Sequence, residues 1–328
     1  MKPSIKKLKL LALAATAALL QATPAWAQDK VTMLTSWFAQ AEHGGFYQAV
    51  AAGIYKKHNL DVTIKMGGPQ VNGMQLLAAG QTDFLMSYDF SVLKAIEAGI
   101  PAVTVGTSFQ YDLQGILTHE DVPNLGALKG KTIFVATAGR SNWWPWLKGK
   151  YNYPEEQTKP YTFNPQPFLA DKNSAMQAYL SSEPFAVQNL GIKAKFHLFA
   201  NDGYPPYGTT IVAMKKLTDE KPDVVQRFVR ASMEGWKSYM ANPALGNELI
   251  KKDNPRQSDE QIAYAIAKLK ENKLVDGGDA AKLGIGVMTD ERWKATYDTM
   301  VKTGLLKADV DWKQAYTTRF VKDLKVMP

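Results

Sequence analysis

Between residues 30 and 109, short apolar runs alternate with helical segments. The apolar runs predict strands at 30–37, 60–66, 82–87 and 102–109. The segments between them predict helices at 46–58, 75–79 and 91–97. Strands that alternate with helices of about ten residues are typical of βαβ units in a largely parallel sheet. This part of the chain therefore predicts an α/β lobe.

The same alternation starts again after the stretch "LKGK" at 128–131. It predicts strands at 132–137, from 161 onward and at 195–200, with a helix at 174–180. A return strand is predicted at 207–214, followed by helices at 223–240, 259–273 and 290–303. The restart predicts two α/β lobes joined by a hinge, with a ligand cleft between them. Lobe 1 comprises residues 28–114 and 207–328, and lobe 2 comprises residues 115–206.

The N-terminal residues have the pattern of an export signal. Lysines precede the apolar stretch 8–20, and Ala25-Trp26-Ala27 predicts cleavage after Ala27. The apolar stretch is too short to span a bilayer comfortably, and no second such run follows, which favours export over anchoring. We therefore expect residues 1–27 to be a cleaved signal peptide and the mature protein to be periplasmic.

Charge and cysteine content narrow the possible functions. Four of the 39 basic residues lie in the signal, so 35 basic residues face 31 acidic ones in the remaining chain. This small, scattered excess gives no reason to expect a nucleic-acid partner. The chain has no cysteine, which excludes disulfides, thiolate metal sites, a cysteine nucleophile and a lipid anchor on an N-terminal cysteine.

The turn after the first strand carries the most informative side chains. Ligands of open α/β sheets bind outside the carboxyl ends of the strands, which places Trp37 at the cleft. Trp37 is predicted to stack on a flat ligand, whereas Phe38 is predicted to pack in the core. Glu42 could accept a hydrogen bond from an exocyclic amine, and His43 is either a ligand contact or a turn residue. Gly44 lets the backbone approach a ligand at a helix start.

Two further turns of lobe 1 are predicted to face the same cleft. Gln70 follows the second strand, and Ser87, Tyr88 and Asp89 follow the third. Their side chains could supply hydrogen bonds to a solute. The alternative for Asp89 is that it caps the next helix.

Lobe 2 contributes a helix start directly after a strand, at Arg140, Ser141, Asn142 and Trp143. Backbone N–H groups at such a position suit an anion or a carbonyl oxygen, and Arg140 could pair with a carboxylate or a phosphate. The spacing is not that of a Walker loop. The tryptophans at 143, 144 and 146 either pack the lobe or close over a ligand.

Two more candidates lie near helix or strand ends of lobe 2. Glu183 is predicted to sit where Pro184 breaks a helix. Tyr204 and Tyr207 precede the return strand, where they are either lids or hinge-packing residues. We therefore add Glu183 and Tyr207 to the predicted ligand contacts.

Enzyme signatures are missing from the sequence. It contains no G-x-S-x-G, no H-E-x-x-H and no G-x-G-x-x-G that opens a helix. The four histidines, at 43, 58, 119 and 197, do not have the spacing of metal ligands. We therefore expect a binding protein without catalytic residues, cofactor or metal.

Seven stretches resemble the solute-binding proteins of ABC importers for nitrate, sulfonates, taurine and thiamine pyrimidine precursors. They are "GGFYQAVAAGIYKKHNLDVTIKMGG", "LLAAGQTDFLMSY", "AIEAGIPAVTVG", "LKGKTIFV", "AYLSSEPF", "YGTTIVAM" and "VVQRFVRASMEGWKSYM". The resemblance covers nearly the whole mature chain. It implies the type II periplasmic-binding clamshell, and a monomer that delivers its solute to a membrane permease with a cytoplasmic ATPase.

Trp37-Phe38 followed by Glu42-His43-Gly44 looks most like the branch that binds the thiamine pyrimidine precursor. That branch typically has Pro-Asn where this chain has Ala39-Gln40, and Asp where it has Glu42. The resemblance therefore implies a heteroaromatic solute such as an aminopyrimidine. A small anion held by Arg140, such as a sulfonate or an aromatic carboxylate, is the alternative. A hydrolytic or pyrimidine-forming enzyme on the same fold is a third hypothesis, although the related pyrimidine-forming enzymes carry a cysteine-rich iron motif.

Overall fold

The computed structural model describes residues 28–68, 71–140, 143–162 and 164–328. The predicted signal peptide lies outside these residues. Strands β1 to β10 are Asp29–Leu34, Leu60–Lys65, Phe84–Ser87, Ala102–Phe109, Gln114–His119, Thr132–Val135, Thr158–Pro160, Ser174–Tyr179, Ala194–Leu198 and Gly208–Met214.

The helices of both lobes are also numbered in chain order. Helices α1 to α8 are Gly44–Ala51, Ile54–Lys57, Gly73–Ala78, Asp89–Glu97, Thr137–Arg140, Trp144–Tyr151, Gln166–Ala170 and Glu183–Asn189. Helices α9 to α14 are Lys215–Glu220, Pro222–Ala241, Ala244–Asp253, Asp259–Glu271, Ala280–Leu283 and Asp290–Lys302. In the part of the chain that the structure describes, no helix is long and apolar enough to cross a membrane.

The strands form two five-stranded sheets, one in each lobe. The first sheet has the order β2-β1-β3-β10-β4, in which β1 runs parallel to β2 and β3, while β10 is antiparallel to both its neighbours. The second has the order β7-β6-β8-β5-β9, with β6 parallel to β7 and β8. The chain crosses between the sheets at residues 110–113 and returns at 199–207. The exact residues at which one lobe ends and the other begins stay a prediction.

Helix α10 packs against α1 through glycines. A Cβ on Gly45 would lie 2.3 Å from the indole ring of Trp236, and a Cβ on Gly44 would lie 2.1 Å from the ring of Tyr239. A Cβ on Gly235 of α10 would likewise lie 2.3 Å from the carbonyl oxygen of Gly45. These glycines therefore let two helices approach within a distance that any side chain would prevent.

Four predicted elements differ from the structure. The strand predicted from 161 onward lies earlier in the chain, as β7 at Thr158–Pro160. Residues 174–180, predicted as a helix, form β8, because Ser174–Tyr179 is paired on both sides by β5 and β6 and this pairing overrides the helix propensity of Ala and Met. The predicted helix 46–58 is divided at Gly53, whose φ of 67° is left-handed. Pro184 does not break a helix but lies in the first turn of α8.

Candidate functional site

A hydrogen bond between Glu42 and Ser181 joins the two lobes. Glu42 lies in the 3-10 turn Ala41–His43, between β1 and α1, and is 2% exposed. Its Oε1 accepts a hydrogen bond from the hydroxyl of Ser181, which follows β8 in lobe 2. Its Oε2 is buried and has no hydrogen-bond partner among the described residues. Because an unpaired buried carboxylate oxygen is costly, this atom can gain from a solute that donates a hydrogen bond.

A second carboxyl, Glu183, approaches Glu42 from lobe 2. Glu183 opens α8 and accepts hydrogen bonds from the Tyr161 hydroxyl at 3.1 Å and from the Tyr179 backbone N–H at 2.8 Å. Burial raises the pKa of Glu183. Burial is also the largest cause that raises the pKa of Glu42 to about 7, and the charge of Glu183 raises it further. Near neutral pH the Glu42 carboxyl is therefore close to the midpoint of its titration.

Asp89 and Asp112 form a second acidic pair, beside the two chain crossings. Asp89 is fully buried; its Oδ2 accepts the backbone N–H of Tyr207 at 2.9 Å, while Oδ1 has no partner among the described residues. Asp112 lies in the first crossing and accepts the backbone N–H of Gln114 at 3.3 Å. Burial raises the pKa of both carboxyls to about 7. For Asp89, the Tyr207 N–H and the charge of Arg292 act in the opposite direction.

His43 is buried beside Glu42 as a neutral imidazole. It is 1% exposed, and burial lowers its pKa to about 3. Its Nδ1 has no hydrogen-bond partner among the described residues. An imidazole that stays neutral can either donate or accept one hydrogen bond at that nitrogen, according to its tautomer. His43 and Glu42, neighbours in the sequence, thus each have a buried polar atom that could bond a solute.

Trp37 lies half-buried in the loop after β1. Its ring packs edge-on against Phe38, with 5.7 Å between the ring centroids, and Phe38 is also half-buried. The hydroxyl of Thr35 donates to the Trp37 carbonyl at 2.7 Å and accepts the Gly67 N–H at 3.0 Å. The loop that carries Trp37 is therefore tied to the end of β2, which restricts where the indole can lie.

Two tyrosines lie close to these carboxyls. Tyr88 follows β3 and Tyr179 ends β8, so one comes from each lobe. Burial raises the pKa of both hydroxyls above their ordinary value, and the charges of Asp112 and Glu42 raise it further. Both hydroxyls stay protonated near neutral pH and can donate as well as accept hydrogen bonds.

Several predicted contacts have a structural role in the described residues. Gly44 fits against the ring of Tyr239, and Trp143 is buried against Phe199 with 4.9 Å between the ring centroids. Trp144 and Trp146 are buried as well, so all three tryptophans pack lobe 2. Asp89 is not the cap of α4, because Tyr88 holds the N-cap position and the Asp89 carboxylate accepts the Tyr207 N–H instead. Tyr207 is fully buried at the end of the second crossing, where its backbone N–H donates to Asp89.

Arg140 is directed toward an acidic residue of its own lobe. Its Nη1 lies 4.0 Å from Oε1 of Glu155, and Oε2 of the same carboxylate accepts a hydrogen bond from Lys148 at 2.8 Å. Ser87 is buried at the end of β3, where it pairs with Thr210 of β10. The remaining predicted contacts, Gln70, Ser141 and Asn142, lie outside the described residues.

The cluster formed by Glu42, Asp89, Asp112 and Glu183 is named here the acidic cluster. All four carboxyls are buried. The positive charge of Arg292 acts on one of them, Asp89, and lowers its pKa. Among the described residues, no three carboxyls or imidazoles are placed to hold a metal ion. In their ionised forms these carboxyls repel anions and attract groups that donate hydrogen bonds or carry positive charge.

Asp112, Tyr179 and Ser181 are site residues that the sequence does not predict. Tyr179 ends β8 and Ser181 lies two residues after it, and the sequence predicts this segment as a helix. Asp112 lies two residues before β5, which the sequence does not predict. If β5 and β8 had been predicted as strands, these three residues would have been placed near strand ends and chosen as candidates. Their strand ends meet the cleft as the ends of β1 and β3 do in lobe 1.

The chain matches a known protein family over most of its length. The profile of the family described as NMT1/THI5 like matches residues 40–245, which is more than half of the chain. The chain belongs to the NMT1/THI5-like family. This confirms the predicted resemblance to the solute-binding proteins that include thiamine-precursor binders.

Relatives of known function cover most of the chain. The riboflavin-binding protein RibY of Chloroflexus aurantiacus is 25% identical over 309 residues, which is 89% of this chain and 86% of its own. The formylaminopyrimidine-binding protein of Halalkalibacterium halodurans is 22% identical over 274 residues, 78% and 82% of the two chains. Both binding proteins and enzymes occur among the proteins that match this family member.

A solved structure confirms the fold. The periplasmic aliphatic sulphonate-binding protein SsuA of Escherichia coli superposes with a TM-score of 0.67 and 14% identity, over 87% of this chain and 91% of its own. The predicted two-lobe, periplasmic-binding α/β fold is therefore correct. At this identity the likeness extends to the fold and not to the solute.

Proposed function

We propose that this chain is the solute-binding component of an ABC importer, acts outside the cytoplasm and binds a small nitrogen-containing heteroaromatic solute such as a thiamine pyrimidine precursor. The observation that carries the proposal is the buried Glu42 at the contact between the lobes, with one oxygen bonded to Ser181 and the other without a partner among the described residues. The export pattern at residues 1–27 supports the location.

The chemistry of the acidic cluster supports a solute with hydrogen-bond donors. The ionised form of Glu42, which predominates above pH 7, only accepts hydrogen bonds, so its free oxygen pairs with an exocyclic amine or a protonated ring nitrogen. Neutral His43 beside it supplies a second polar contact. Trp37 supplies a flat apolar face in the loop after β1. These three groups are of the kinds that an aminopyrimidine edge and ring would contact.

The same charges disfavour the anionic alternative. A sulfonate or phosphate brought to Glu42 also meets the carboxyl of Glu183, whose charge acts on Glu42, and the ionised forms of both repel an anion with little screening. Arg140, the residue proposed to hold an anion, lies beside Glu155 instead. The two relatives described above are named as a riboflavin binder and a formylaminopyrimidine binder, and both of these solutes are nitrogen heteroaromatics.

Calorimetric titration tests the proposed solute class directly. We expect 4-amino-5-hydroxymethyl-2-methylpyrimidine to bind, and its phosphate ester and taurine to bind at least tenfold more weakly, because each adds an anionic group. The Arg140→Ala variant should bind the pyrimidine as the wild type does. Preferential binding of taurine, lost in Arg140→Ala, would overturn the proposal. Recovery of the pyrimidine unchanged after incubation separates a binding protein from an enzyme.

Replacement of Trp37 tests the stacking contact. We expect Trp37→Ala to weaken pyrimidine binding by roughly tenfold, because aromatic stacking and the associated burial contribute on the order of 1.5 kcal/mol. Trp312→Ala is the matched control, since Trp312 is also half-buried and stacks at 5.9 Å on Tyr316 within lobe 1. Equal affinities of Trp37→Ala and the wild type would remove Trp37 from the site.

A further inference from the structure

Arg292 connects the two segments by which the chain crosses between the lobes. It lies in the first turn of α14. Its Nη2 donates to the carbonyl of Gln110, in the first crossing, at 2.8 Å. The same guanidinium donates to the carbonyl of Pro205, in the second crossing, from Nη2 at 2.8 Å and from Nε at 3.2 Å. One side chain therefore holds both crossings at once.

Tyr207 and Asp89 complete this arrangement. The Arg292 guanidinium lies 4.6 Å from the centroid of the Tyr207 ring, at a distance typical of cation–π contact. The Tyr207 hydroxyl accepts the backbone N–H of Thr289 at 3.0 Å, and the Tyr207 backbone N–H donates to Asp89. We name Arg292, Tyr207 and Asp89 the hinge clamp. It attaches the second crossing to α4 and α14 of lobe 1.

Closure of a two-lobe protein requires rotation about backbone bonds in its crossings. If the crossings were independent, each could change its backbone angles separately and the lobes could also twist against each other. A planar guanidinium with a fixed arrangement of donors keeps the two carbonyls at a constant separation. The backbone angles of the two crossings then change together.

We propose that the hinge clamp couples the two crossings and thereby limits the range of angles between the lobes, with Arg292 as the positioning residue. The inference goes beyond the proposed solute, since it concerns the protein without any ligand. Arg292 acts on solute binding through the hinge and not by contact with the solute.

The absence of cysteine from the sequence makes the test simple. Nitroxide labels at Lys252→Cys in α11 and Gln188→Cys in α8, both exposed, place one label on each lobe. Pulsed electron paramagnetic resonance then gives the distribution of interlobe distances in the ligand-free protein. In Arg292→Lys we expect this distribution to become about twice as wide, because a lysine keeps the charge but not the planar group of donors.

Arg227→Lys is the matched control. Arg227 also bonds two backbone carbonyls, those of His58 and Asn59, but within lobe 1 and away from the crossings. It should lower the melting temperature and leave the distance distribution unchanged. A distribution in Arg292→Lys that superimposes on that of the wild type would overturn the proposal, whatever the change in melting temperature.

A second variant keeps the test decisive if Arg292→Lys fails to fold. Asp89→Asn retains an oxygen for the Tyr207 N–H but removes the charge that acts on Arg292. It should widen the distribution less than Arg292→Lys does, and a folded Asp89→Asn protein with an unchanged distribution counts against the clamp. Because neither measurement includes a solute, failure of the clamp is distinguishable from failure of the proposed function.

Discussion

At pH 8 the Glu42→Gln variant is expected to be more stable than the wild type while it binds the aminopyrimidine at least tenfold more weakly. The gain in stability follows from the raised pKa of Glu42, which is about 7 in the folded protein against 4.5 when unfolded. Above pH 7 folding buries a charge beside Glu183, at a cost on the order of 3 kcal/mol. Glutamine removes this charge and can still accept the hydrogen bond from Ser181.

The pH dependence follows from the direction of the shift. A carboxyl whose pKa is raised on folding contributes stability that is present below pH 4.5 and is lost as the pH rises through about 7. Asp89 and Asp112 act in the same direction, since burial raises the pKa of each to about 7. His43 acts in the opposite direction below pH 6.5, because its pKa is lowered to about 3. We therefore expect the wild type to be more stable at pH 6 than at pH 8.

The weaker binding has a separate cause. The ionised oxygen of Glu42 forms a charge-assisted hydrogen bond to the amine, worth about 1.5–3 kcal/mol, and an amide forms a weaker one. Thermal melts at pH 6 and pH 8, together with calorimetry, measure both effects in one set of samples. Glu120→Gln, at an exposed position, should change neither quantity. A Glu42→Gln protein that is less stable at pH 8 and binds normally would contradict the assigned role of Glu42.

Gly45→Ala is expected to destabilise the protein by about 3 kcal/mol, because overpacking a rigid core is costly. The new Cβ would lie 2.3 Å from the ring of Trp236. That ring is fully buried and packs edge-on against Phe46, Phe109 and Tyr239, so it has no room to move aside. Urea unfolding gives the loss as a lower midpoint at an unchanged slope.

Gly149→Ala is the control for this prediction. Gly149 lies within α6, and the one atom within 4 Å of a Cβ there is a Thr303 methyl carbon at 3.8 Å. Alanine should raise stability by roughly 0.5–1 kcal/mol through its helix propensity. If Gly45→Ala and Gly149→Ala gave the same stability, the helix contact between α1 and α10 would not be as tight as described.

Much of lobe 1 could be predicted from the sequence because its signals are local. The strands at 60–66 and 102–109 and the helix at 259–273 lie within a few residues of the predicted bounds, since apolar periodicity depends on neighbours in the chain. Glu42 and Trp37 could be chosen for the same reason, as they follow a strand end. Lobe 2 was predicted less well. β8 contains good helix formers, and its pairing with β5 depends on contacts about 60 residues apart.

The sequence by itself determined the alternation of strands and helices, the absence of cysteine chemistry and the family resemblance, because these depend on residue order and composition. The tertiary structure alone decided that Gly44 and Gly45 serve the approach of two helices, and that Glu42 meets Ser181 across 139 positions of the chain. It also decided that four carboxyls share one buried region. Burial and charge proximity are properties of the folded chain, because they depend on which distant segments exclude water from each other.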